Sequence, residues 1–143
     1  MRRFALLVVL LCSLFASATA QEVMVGATDT ESYMPLVEGK RVAILANHTA
    51  MYSSEEHIVD MMHREGVNIV GIFSPEHGFR GSVEAGEKVK NSVDERTGIP
   101  ILSLYDGNTQ RPSDDVMRSF DTLVVDMQDV GLRFYTYYIS MIR

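Results

Sequence analysis

Four short apolar runs recur along the chain, at residues 41–46, 67–73, 98–105 and 122–126, and each gives way to polar residues. Runs of this length, rich in Val, Ile and Leu, predict strands buried on both faces. Between the first two, Ile58, Met61 and Met62 recur at helical spacing and fall on one face. Ser53 and Glu56 make a Ser-x-x-Glu capping box, so this helix is expected to open at Ser53 and to close at Gly66. His57 and His63 lie on it and read as surface or edge residues. Pro100 stands near the start of the third run, where a strand tolerates it. Ser113 predicts the N-cap of a short helix over residues 114–120, and residues 131–142 read as a final helix. Strand and helix blocks therefore alternate, which predicts the α/β class with a mainly parallel sheet. Residues 74–97 form one long stretch rich in glycine and charge. A loop of that length inside a compact domain is usually functional or disordered.

The first twenty residues do not fit this frame. Met1-Arg2-Arg3 is a positive start, residues 4–15 are apolar but for Ser13, and Ala18-Thr19-Ala20 has the small-x-small form of a cleavage site. The expected organisation is a signal peptide over 1–20, a leader over 21–38 with little periodicity, and the α/β unit over 39–143. The apolar run is shorter than the roughly 20 residues that a membrane span needs. Export is therefore expected, to the periplasm or the extracellular space, with no stable membrane insertion after cleavage. Cys12 leaves with the signal, so no disulfide is available and a packed core must supply stability. Without residues 1–20 the chain has eleven basic and nineteen acidic residues, a net charge of −8. Such an acidic chain has no electrostatic footprint for nucleic acid. The chain stops at Met141-Ile142-Arg143, inside an apolar and aromatic stretch with no glycine cap. It is accordingly read as the N-terminal part of a longer protein.

In a parallel sheet the carboxyl ends of the strands share one edge, and ligands bind there. The residues expected at that edge are polar. Asn47 and His48 follow the first strand, and Glu76, His77 and Arg80 the second. Tyr105 and Asp106 follow the third, and Asp126, Gln128 and Asp129 the fourth, with Arg133 and Tyr135 just downstream. The densest segment is Phe73-Ser74-Pro75-Glu76-His77-Gly78-Phe79-Arg80-Gly81. It sets an acid, an imidazole and a guanidinium on a turn that glycine and proline shape. Several carboxylates over one crevice suit general acid/base work, and glycoside cleavage needs one such acid plus a second carboxylate or a substrate group. The residues alone leave two readings open: Glu76 as a catalytic acid, or Glu76 and Arg80 as a salt bridge closing the loop. No His-Glu-x-x-His occurs and no second histidine stands at ligand spacing from His77, so no metal and no cofactor is expected. No Gly-x-Ser-x-Gly elbow is present, and Gly78 and Gly81 do not make a dinucleotide fingerprint.

Four segments carry a resemblance. They are Gly39-Lys40-Arg41-Val42-Ala43-Ile44-Leu45-Ala46-Asn47-His48-Thr49, the Phe73 to Gly81 segment above, Ala85-Gly86-Glu87 with Thr97-Gly98-Ile99-Pro100, and Asp126-Met127-Gln128-Asp129-Val130-Gly131-Leu132-Arg133-Phe134-Tyr135-Thr136-Tyr137. In these the chain resembles the exo-acting β-N-acetylmuramidases, a family long catalogued as a domain of unknown function. The resemblance implies a Rossmann-like domain followed by a second domain, with the active site in the cleft between them. It implies release of N-acetylmuramic acid from the non-reducing ends of peptidoglycan fragments, so the expected partner is a peptidoglycan-derived saccharide or muropeptide. On this likeness Glu76 is the general acid/base with His77 beside it. Asn47, Arg80, Asp126, Gln128, Arg133 and Tyr135 are implied to line the pocket, and an arginine among them to pair with the lactyl carboxylate. His48 stands where the family commonly has glutamine, and Met127 where it has isoleucine. A non-catalytic muropeptide-binding module on the same scaffold is the alternative function.

Overall fold

The computed structural model describes residues 23–84, 87–88, 90–104 and 111–142. Residues 1–22, which include the expected signal peptide, Ala85 and Gly86 of the third motif, and Tyr105 and Asp106 lie outside the described residues. A 3-10 turn at Gly26–Thr28 leads into helix α1, Thr30–Val37. Then come β1, Val42–Ala46; α2, Ile58–Arg64; β2, Ile69–Ser74; β3, Ser92–Val93; β4, Pro100–Ser103; α3, Asp114–Met117; β5, Thr122–Asp126; and α4, Tyr137–Ile142. The strands form one sheet in the order β3-β4-β2-β1-β5. All neighbours pair in parallel except β3 with β4. This is the expected α/β architecture with a mainly parallel sheet.

β1 lies at the centre, and all five of its residues are buried. Its side chains alternate between the two faces, as strand geometry requires. Val42, Ile44 and Ala46 pack with Ile58, Val59, Met61 and Met62 of α2 and with Val37 of α1. Ala43 and Leu45 pack on the other face with Phe73 and Leu104, and with Val116 and Phe120 of the α3 region. A continuous apolar run thus reports a strand covered on both faces. At the opposite edge from the site, Arg41 grips Asp121 through its backbone N–H at 3.0 Å and its guanidinium at 2.8 and 3.1 Å, joining the starts of β1 and β5. This pairing holds the Asp121 carboxyl down at about 2.

Five local expectations are corrected. The leader contains helix α1, which buries Val37 and packs Tyr33 and Met34 against the core, although Pro35 lies inside it. Helix α2 opens at Ile58 rather than Ser53. The Ser53 hydroxyl accepts the N–H groups of Glu55 and Glu56, but the segment closes a turn with Tyr52 N–H donating to Glu56 O at 2.8 Å. The N-cap is His57, which is buried, not a surface residue. The long loop contains β3, two exposed residues paired antiparallel with β4, too short to give a pattern in sequence. The last helix covers only Tyr137–Ile142, because Gly131 takes φ +72° and residues 127–136 are irregular, with a turn at 133–134.

Candidate active site

Because β1, β2, β4 and β5 run in parallel, their carboxyl ends meet at one edge. Two connections leaving this edge carry most of the chemistry. One is the elbow of residues 74–83 after β2. The other is the strap of residues 127–136 after β5.

The elbow starts from buried Phe73, Ser74 and Pro75. Gly78 N–H donates to Pro75 O and Gly81 N–H to Gly78 O, both at 3.1 Å. His77 has φ +71°, the one non-glycine residue in the left-handed region among the described residues. That conformation costs an L-residue about 1–2 kcal/mol. It is held by Val83 N–H donating to His77 O at 3.2 Å and by His77 Nδ1 lying 3.2 Å from Val83 O. Gly81 is required twice over: φ is +70°, and a Cβ there would sit 2.9 Å from His48 Cβ.

Glu76 is half-buried, and its Oε2 accepts a hydrogen bond from Thr136 Oγ1 at 2.8 Å. This bond joins elbow to strap across sixty positions of sequence. Arg80, four residues on, turns elsewhere. Its Nε and Nη2 donate to Asp94, both at 2.8 Å, and its Nη1 and Nη2 to Asp60 at 3.0 and 2.7 Å. Its guanidinium carbon lies 4.6 Å over the Phe79 ring. Asp94 also accepts from the N–H and hydroxyl of Thr97, and Asp60 from Arg96. Asp94 is pulled below the ordinary carboxylate value by these bonds against the opposing effect of its burial. The Arg80 bond is the main cause that lowers Asp60. The guanidinium is therefore committed to α2 and to the turn before β4, and the Glu76–Arg80 salt bridge is not its arrangement.

Asn47, the first residue beyond β1, is fully buried. Its Oδ1 accepts from Thr49 N–H at 3.2 Å and Thr49 Oγ1 at 2.6 Å, and its Nδ2 donates to Gln128 O at 3.4 Å. His57 Nε2 lies 2.9 Å from Asn47 O, while His57 Nδ1 accepts the Val59 N–H at 3.3 Å. One nitrogen must donate and the other accept, so the ring is neutral with its proton on Nε2. Burial lowers the His57 pKa in keeping with this. Burial raises the Tyr137 hydroxyl, and a hydrogen bond with the Asn47 side chain opposes the rise.

The strap emerges from Asp126, which pairs with Ala46 in the sheet. Asp126 and Gln128 line an apolar groove of about 590 Å³ beside β5, with Tyr33, Val37 and Met62. Burial raises the Asp126 carboxyl. Asp129 Oδ1 accepts from Gly131 N–H at 2.7 Å, and Tyr135 N–H donates to Leu132 O at 2.9 Å. The second bond closes a turn with Arg133 and Phe134 at its exposed corner. Tyr135 meets Tyr137 edge to face, with ring centroids 5.2 Å apart.

The structure thus joins Glu76 to the strap and Asn47 to the Gln128 backbone. It puts Asp126 in a groove that Glu76 does not line, and it turns Arg80 away into its own ion cluster. Thr136, Asp60 and Asp94 were missed as site residues in the sequence. Thr136 stood inside the fourth motif, but a hydroxyl in a motif gives no hint of its partner. Nothing near Asp60 or Asp94 in sequence points to Arg80. Among the described residues no three His, Cys, Asp or Glu side chains gather in a metal-holding group, and no helix is long and apolar enough to cross a membrane.

Comparison with known proteins places this geometry. Residues 42–143 match the family described as exo-beta-N-acetylmuramidase NamZ, N-terminal. The peptidoglycan beta-N-acetylmuramidase NamZ of Bacillus subtilis (strain 168) is 38% identical over 110 residues, which are 76% of this chain and 26% of that protein. Two crystal structures of DUF1343 family proteins from Bacteroides fragilis NCTC 9343 share the fold. One has a TM-score of 0.70 at 48% identity and covers 85% of this chain and 30% of its own. The other has a TM-score of 0.68 at 36% identity, with 78% and 27% covered. The chain therefore spans about a quarter of the length of the curated relative it matches.

Proposed function

The chain belongs to the exo-beta-N-acetylmuramidase NamZ N-terminal family, and from that premise we propose that the whole protein is a secreted glycosidase. In this reading it releases N-acetylmuramic acid from the non-reducing ends of peptidoglycan fragments, in the periplasm or the extracellular space. The B. subtilis relative carries the muramidase name. The chemistry assigned here rests on this chain's own residues.

Glu76 acts as the general acid. It delivers a proton to the glycosidic oxygen as the bond from that oxygen to C1 breaks, and its carboxylate takes a proton back as water adds at C1, which restores the acid. The Thr136 hydroxyl suits the role, because it donates to the carboxylate and can turn to accept from the carboxylic acid. His77 stands beside Glu76, and its left-handed backbone sets the direction in which the elbow leaves β2. Asp126 and Gln128 contact sugar hydroxyls from the end of β5, and Arg133 and Tyr135 contact the substrate from the strap. Asn47 orders the strap from below through Gln128 O. Arg80 supports the elbow, since its donors already face Asp60 and Asp94.

The observation that carries this reading is the 2.8 Å bond from Thr136 to Glu76, which gathers two family motifs around one carboxylate. The test is hydrolysis of a chromogenic β-N-acetylmuraminide by the whole protein and by its Glu76→Gln variant. Release of the sugar by the wild type, with most of the rate lost in the variant, supports the assignment. Full activity in Glu76→Gln overturns the acid, and binding without turnover by the wild type favours a muropeptide-binding module.

A further inference from the structure

Resting on the muramidase reading, we infer that Arg133 is the residue that reads the lactyl carboxylate of the substrate, with the Phe134 ring beside it as an apolar platform. Muramic acid differs from glucosamine by a lactyl ether that ends in a carboxylate. A site that selects it needs a cation with free donors, and arginine's planar fork matches a carboxylate in two parallel bonds.

Most arginines among the described residues are already committed. Arg41 holds Asp121, Arg64 holds Glu56 and Glu65, Arg80 holds Asp60 and Asp94, Arg96 holds Asp60, and Arg118 holds Asp115. Among the described residues only Arg111 and Arg133 pair with no carboxylate. Arg111 lies on the α3 side of the sheet, in a groove with Leu45, Phe73 and Leu104. Lys88 and Lys90 line another groove, together with Glu87 and Glu95.

Arg133 is placed differently. The turn closed by Tyr135 N–H and Leu132 O lifts it and Phe134 off the body of the strap. Phe134 is 81% exposed, a large apolar surface that nothing within the described residues covers. Three residues later Thr136 donates to Glu76. Three residues of chain span at most about 10 Å, so the Arg133 backbone lies within that distance of Thr136, the partner of Glu76. The turn is fixed at its base, where Tyr135 packs on Tyr137 and Tyr137 is buried. An aromatic face beside a guanidinium offers the sugar ring an apolar surface and the lactyl group a counter-charge. On a chain whose net charge without residues 1–20 is −8, an uncommitted cation near the acid also offsets the general repulsion of an anionic substrate.

The experiment measures Arg133→Ala and Arg133→Lys in the whole protein against two substrates with the same leaving group, a β-N-acetylmuraminide and a β-N-acetylglucosaminide. Losing a charged hydrogen bond corresponds to about 10- to 100-fold. Arg133→Ala is expected to lose that much in kcat/KM on the muraminide, chiefly through KM, and so to lower the preference for the muraminide over the glucosaminide by about the same factor. Arg133→Lys recovers part of the loss. An equal loss on both substrates, or no loss on either, overturns the inference.

Calorimetric binding of free N-acetylmuramic acid and N-acetylglucosamine to Glu76→Gln, with and without Arg133→Ala, gives a second readout independent of turnover. A preference for muramic acid that persists without Arg133 overturns the inference while leaving the muramidase reading intact. A wild type that turns over neither substrate overturns that reading, and the binding preference still decides the role of Arg133.

Discussion

The elbow after β2 and the strap after β5 face each other across one carboxylate, and they are held in opposite ways. The elbow is anchored from behind. Arg80 makes four bonds to Asp60 and Asp94, Gly81 presses on His48, and Phe79 is buried against the core. The strap keeps residues 128–134 exposed and is held by two short turns, the Asn47 amide and the Thr136 hydroxyl. Reacting groups must be held to fractions of an ångström, and this is achieved by locked side chains behind them. A segment with few buried contacts sits at the low end of local stability, where binding elements are drawn from. On the proposed function, this contrast would place the acid on the rigid side and substrate recognition on the side that can adjust.

The largest way to break this contrast is Glu76→Gln. The expected loss is about 10²- to 10⁴-fold in kcat, the range of general acid catalysis, with folding unchanged in urea melts. Next is Arg80→Met. Removing one partner of a buried ion pair costs about 3–5 kcal/mol, and Arg80 keeps 24% of its side chain exposed, so a loss near about 3 kcal/mol is expected. A double-mutant cycle with Asp94→Asn should be strongly non-additive. Unchanged stability with a raised KM would instead make Arg80 a sugar ligand. Thr136→Val cuts the bond between the two sides and should lower kcat about 10-fold, as expected for a hydrogen bond to a charged group, with little effect on melting.

The smallest effect separates the supports by pH. His57 has a lowered pKa in the folded state, so its contribution is complete above its ordinary value of 6.5 and is lost as pH falls below that. Asp60 and Asp94 are lowered from 3.8, so theirs is kept until pH falls through that value toward the lowered ones. Asp126 is raised and works the other way, contributing stability at low pH that is lost as pH rises through its folded value. The melting temperature of the whole protein should therefore fall in two steps on acidification. His57→Gln should remove the upper step. A first step that survives the substitution would show that another group titrates there.

Most of the frame was legible because burial on both faces writes itself as uninterrupted Val, Ile and Leu. β1, β2 and β5 were found within two residues, and Ser113 was found as an N-cap whose hydroxyl accepts the Val116 N–H at 3.4 Å. α1 was hidden by Pro35 and by a single fully buried position. The capping box at Ser53 misled because a serine hydroxyl serves a turn as well as a helix. In the site, Glu76 could be singled out from its motif, while the partners of Glu76 and Arg80 could not. Arg80 finds Asp94 fourteen residues away and Asp60 twenty, and Glu76 finds Thr136 sixty away. Pairings at such distances are set by strand order, not by local pattern.

That strand order has a kinetic side. β1 must bind β2 and then β5, which follows it by some eighty residues, before Asn47 meets the Gln128 backbone and Thr136 meets Glu76. Contacts of such separation close late and slowly. Glu76 acquires its hydroxyl partner only once the sheet is assembled through β5. On the proposed function, activity then cannot precede this step, and its time course after dilution from denaturant would report on completion of the sheet.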